Sequence, residues 1–77
     1  MKTYWATYHY AYTCKWGSDS ETVEDFGIGK FLCNKKDIKK EVEKHILEDE
    51  IPFADLYDTE IIRLEITDCY KAIEFEI

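Results

Sequence analysis

A chain of 77 residues with 17 acidic and 10 basic side chains, and a formal charge of −7, has room for one domain, residues 1–77, and a thin core. Its 45% hydrophobic and 16% aromatic content excludes a disordered chain, and no apolar run approaches the roughly 18 residues of a membrane-spanning helix. The charge is skewed: residues 1–33 carry −1, residues 34–47 carry +2 and residues 48–77 carry −8, which opposes direct binding to a phosphate backbone.

The opening stretch TYWATYHYAYT, residues 3–13, holds five of the eight Trp and Tyr residues. Tyr4, Ala6, Tyr8, Tyr10, Tyr12 and Cys14 share one parity, with Thr3, Trp5, Thr7, His9, Ala11 and Thr13 on the other. Period two with aromatic and Thr enrichment predicts a strand. Gly17-Ser18-Asp19-Ser20 is a turn cluster, and a second strand is expected over Thr22 to Leu32, with a bulge near Glu24-Asp25. A turn that sets Trp16 opposite Thr22 places Tyr12 against Phe26 and Tyr10 against Ile28, with His9 and Ala11 beside Gly29 and Gly27.

Asn34 is placed to cap a helix running from Lys35 to about Asp49, with Asp37 three residues on in an approximate capping box. Ile38, Val42, Ile46 and Leu47 form its apolar stripe. Lysines at its start and Glu48-Asp49-Glu50 at its end both oppose the helix dipole, so packing must hold it. Pro52 ends the helix, and Ile51 to Tyr57 reads as a packed connector.

In the tail, Ile62, Leu64 and Ile66 share one parity and Ile73, Phe75 and Ile77 the other. A reversal around Asp68-Cys69 would bring both triplets to one face, pairing Leu64 with Ile73 and Ile62 with Phe75. The expected fold is therefore α+β: β-β-α-β-β, a four-stranded antiparallel sheet in the order 2-1-3-4 with one helix on one face. A central first strand explains rings on both of its faces. The sheet face away from the helix is left wet, dimeric or available for binding.

No residue constellation names a catalytic chemistry. Ser18 and Ser20 lie in a turn away from either histidine, and a spatial pairing of His9 with Cys33 would still lack an oxyanion site and an orienting group. Cys14, Cys33 and Cys69 show no close pairing of the kind that holds zinc, and no calcium loop is present. Gly27-Ile28-Gly29-Lys30 lacks the remainder of a phosphate loop. The expectation is a non-enzyme without cofactor or metal. An odd number of widely spaced cysteines is a poor disulfide framework. With a polar and aromatic start in place of a greasy leader, it points to the cytoplasm.

The acidic skew is the remaining signal: Glu48, Asp49, Glu50, Asp55, Asp58, Glu60, Glu65 and Asp68. Such carboxylates suit docking on a basic protein groove, including one built for nucleic acid, with Tyr8 and Tyr10 as anchors. In size and acidity the chain resembles phage-encoded inhibitors of bacterial defence, including anti-CRISPR proteins. That resemblance implies a non-catalytic inhibitor that mimics nucleic acid. The alternatives are a homodimer assembled through the aromatic sheet face or an edge strand, and a small thiol-dependent enzyme or sensor using Cys33 or Cys69.

Overall fold

The computed structural model describes residues 1–51, 53–54 and 57–73. Strand β1 (Lys2–Trp16) and strand β2 (Asp19–Cys33) form a long hairpin, helix α1 (Ile38–His45) follows, and strand β3 (Asp58–Lys71) returns along β1. Fifteen residues in each hairpin strand span about 50 Å at about 3.3 Å per residue. The strand length thus sets the 53 Å long axis of the molecule.

Among the described residues the sheet has three strands in the order β2-β1-β3, both pairings antiparallel, and not the four expected. The α+β character stands and β1 is central. The physical error lay in the change of parity after Ile66. A reversal at Asp68-Cys69 would produce such a change, and so would one extra residue in a continuing strand. The structure takes the second course. Tyr8 pairs with Ile66 while Thr7 pairs with Asp68, leaving Thr67 as the extra residue, and β3 runs straight through Asp68 and Cys69. The Ala72 N–H still donates to the Thr3 carbonyl at 2.9 Å, so the chain keeps to β1 beyond the strand. Ile73 lies in no strand, and the expected partners Phe75 and Ile77 lie outside the described residues.

The hairpin register also differs from expectation. Gly17 and Ser18 alone connect the strands, and Gly17 carries the one positive φ among the described residues, 61°, as a two-residue loop with Gly first requires. Trp16 therefore faces Asp19, not Thr22, and every pairing moves by three residues. Tyr8 faces Gly27, Ala6 faces Gly29, Tyr12 faces Val23 and Tyr10 faces Asp25. The pairing runs unbroken, without the bulge expected at Glu24-Asp25; both irregularities lie in the β1–β3 pairing, at Thr67 and Ile62.

The core forms on the side covered by the helix. Tyr8, Tyr10, Tyr12, Ala6 and Cys14 from β1 are buried with Phe31 and Cys33 from β2, under Val42, Ile46 and Ile51. The helical segment begins with a 3₁₀ turn, Lys35–Asp37. Asn34 is extended there and accepts the Asp37 N–H through its backbone carbonyl, not its side chain, so the expected capping box does not form. The segment closes with a π turn, Ile46–Glu50, in which the Ile51 N–H bonds the Ile46 carbonyl at 3.0 Å. At α spacing Ile51 would stand about 140° around the axis from Ile46. The wider turn keeps both isoleucines on the sheet and turns Glu50 inward.

Glu50 turns its carboxylate partway into this layer. Its Oε1 accepts the Tyr8 hydroxyl at 2.5 Å, and its Oε2 is buried with no hydrogen-bond partner. The carboxylate fits because the residue opposite Tyr8 is glycine: a Cβ on Gly27 would stand 2.7 Å from Glu50 Oε1 and 2.8 Å from the Tyr8 ring.

Candidate functional site

The sheet face away from the helix is built by residues of alternate parity. Cross-strand pairing sets them in rows of three: Lys30–Trp5–Tyr70, Ile28–Thr7–Asp68, Phe26–His9–Glu65 and Glu24–Ala11–Arg63, then Thr22–Thr13–Glu60 and Ser20–Lys15–Asp58. The two flanks differ in chemistry. The β2 flank carries large exposed apolar side chains, Phe26 79%, Leu32 64% and Ile28 56% exposed, beside the polar Lys30, Glu24, Thr22 and Ser20. The β3 flank is acidic, carrying Asp58, Glu60, Glu65 and Asp68, and its one cation, Arg63, is paired across the sheet with Glu24.

A shallow depression of about 660 Å³ lies between the flanks, bounded by Thr7, His9, Phe26, Ile28 and Thr67. The bulge makes its polar wall, since the hydroxyls of Thr7 and the extra residue Thr67 meet at 2.7 Å. Solvent-facing rows of a sheet are ordinarily polar, whereas these also expose large apolar side chains.

Of the ten residues singled out in the sequence, the nine described do not come together. Asp58, Glu60, Glu65 and Asp68 share the open face. Glu48 and Asp49 are exposed on the π turn, in the other layer. Asp49 Oδ2 meets His45 Nδ1 at 3.0 Å. Glu50 is turned into the core against Tyr8. Tyr8 and Tyr10 are themselves buried there and offer no surface to a partner. Burial first, and Glu50 after it, pushes both phenols well above their ordinary value, so they remain neutral donors. Asp55 lies outside the described residues.

Phe26, Ile28 and Leu32 were missed because the expected register put Phe26 and Ile28 against Tyr12 and Tyr10. Reading Gly17-Ser18 as a complete two-residue loop would have placed Phe26 beside His9 on the open face.

The nucleophile candidates separate too. His9 stands on the open face, whereas Cys33 is buried on the helix side with its thiol raised by burial and by Glu41 and Asp37. His45 packs edge-on against Phe31, ring centroids 5.4 Å apart. Among the described residues no group of three or more His, Cys, Asp or Glu side chains is arranged to hold a metal ion, and no helix is long and apolar enough to cross a membrane.

No family model, curated protein or solved structure matches this chain.

Proposed function

We propose that the protein is a non-catalytic binding module whose open sheet face docks on a protein with a basic surface. The observation that carries this reading is that the face sets three exposed apolar side chains of β2, Phe26, Ile28 and Leu32, beside an acidic flank on β3. Exposed Phe26, Ile28 and Leu32 supply area to bury, and the carboxylates supply orientation and on-rate. A net charge of −7 disfavours a second copy of the same chain and favours a cationic partner. In its most specific form the module occupies a nucleic-acid site. Alternate residues of an extended strand are about 6–7 Å apart, so Asp58 and Glu60 present charge at a step comparable to that of successive backbone phosphates.

The test is capture of nucleic-acid-binding proteins from a cell lysate, with duplex DNA as competitor. The intact chain should retain a basic protein that DNA displaces, and the triple variant Glu60→Lys, Glu65→Lys, Asp68→Lys should not. Retention that ignores both DNA and the triple variant would end the mimicry reading.

A homodimer is the second reading, favoured by the exposed Phe26 and Ile28. Sedimentation at micromolar concentration distinguishes it. A dimer dispersed by Phe26→Lys would establish it, and a monomer at every concentration would remove it.

A further inference from the structure

At the hairpin end, on the helix side of the sheet, four aromatic rings line a second, partly open cavity. Its floor is Tyr12 and Cys14, its walls are Val23 and Phe53, and its rim is Trp16, Tyr57 and Glu21. The rings follow one another at steep angles. Tyr12 and Phe53 are 6.3 Å apart at 53°, Phe53 and Tyr57 are 5.9 Å apart at 64°, and Tyr57 and Trp16 are 6.1 Å apart at 60°. The rings meet tilted or edge to face and line a concavity that stays open to solvent at its rim.

We propose that this aromatic enclosure is a binding site for a quaternary or fully methylated ammonium head. The π-face of each ring attracts a cation, and a group with no N–H to solvate loses little on leaving water. The cavity of about 190 Å³ holds roughly six water volumes of about 30 Å³. That space suits a trimethylammonium head and is too small for a nucleotide. The charge has the right sign. Glu21 stands across from Cys14 at the rim, Asp25 lies four residues farther along the same face of β2, and no Lys or Arg lines the cavity among the described residues. Lys15, the nearest cation along β1, belongs to the opposite sheet face by parity. Tyr12 is held neutral, chiefly by burial and then by Cys14, Asp25 and Glu21, so the floor adds no competing charge.

The site is separate from the open face and does not depend on the docking reading. Trp16 and Tyr57 at the rim are exposed, which allows entry without unfolding.

Choline chloride titrated into the isotope-labelled full chain, followed by NMR, tests the assignment, with 3,3-dimethylbutan-1-ol as its uncharged isostere and sodium chloride as the salt control. Choline should give saturable shifts at the Trp16 indole and the Tyr57 amide, with affinity roughly ten-fold above that of the isostere. Trp16→Leu and Glu21→Gln should each weaken choline several-fold while the remaining spectrum is kept. A peptide bearing trimethyl-lysine, run beside its unmodified form, tells whether a protein side chain or a small molecule supplies the head. Discrimination there assigns the site to a side chain, and preference for choline over both peptides assigns it to a small molecule. Equal binding of choline and the isostere would reduce the site to an apolar hole, and shifts reproduced by sodium chloride would overturn it outright.

Discussion

Replacing Gly27 by alanine is the sharpest test of how the layer between sheet and helix is held. The new Cβ would stand 2.7 Å from Glu50 Oε1 and 2.8 Å from both Cε2 and the hydroxyl of Tyr8. Neither neighbour can retreat freely, because Tyr8 is buried among Tyr10 and Phe31 and Glu50 is held by the π turn. Alanine in a strand gains roughly 0.4–1 kcal/mol over glycine through the unfolded chain. Overpacking costs about 1–3 kcal/mol, and pushing Tyr8 off the carboxylate loses a charge-assisted hydrogen bond of about 1.5–3 kcal/mol. The penalties exceed the gain. Gly27→Ala should therefore destabilise by about 1.5–5 kcal/mol, visible in urea denaturation and as a fall in Tm of roughly 4–8 °C per kcal/mol. A double-mutant cycle identifies the mechanism. Tyr8→Phe alone should cost about 1–3 kcal/mol, because Glu50 would lose its 2.5 Å hydrogen bond while its Oε2 is already buried without a partner. In the Gly27→Ala background the same change should cost less than about half as much, since the bond is already displaced. A Gly27→Ala protein as stable as the parent, or costs that simply add, would refute the account.

Stability should also fall in alkali. The folded state keeps Tyr8 and Tyr10 protonated above their ordinary value, so the contribution is complete below the unfolded pKa of about 10 and is lost as pH rises beyond it. The slope should approach about 1.4 kcal/mol per pH unit for each retained proton. Urea titrations across that range should show it, Tyr8→Phe should reduce it, and a flat profile would contradict the burial argument. Native-state alkylation should modify Cys69 first, because Cys14 and Cys33 are buried and the Cys33 thiol is raised further; prior labelling of Cys33, read by mass spectrometry, would show the core to be open. Arg63→Ala should change stability by less than about 1 kcal/mol, since Arg63 and Glu24 are both exposed. A larger loss in thermal unfolding would mean that this pair pins the three strands together.

The composition of each segment was enough to foresee a central first strand with rings on both faces, a hairpin, and one helix whose Val42 and Ile46 are buried against the sheet. These features follow from local periodicity, which every residue in the segment reports. Register does not. Whether Phe26 lay under the helix or on the open face depended on how many residues the loop after Trp16 consumed. A three-residue slip along a strand reverses the side of each partner. The same limit governed the tail, where a change of parity is the common signature of a turn and of a bulge, and only pairing with β1 distinguished them at Thr67. Both proposed sites arise from that level. The carboxylates of β3 and the apolar residues of β2 become one surface through β1, and Trp16 meets Tyr57 across some forty residues of chain. Alternation is written into neighbouring residues, whereas adjacency between distant ones is decided by which competing packing buries more surface with fewer orphaned polar groups.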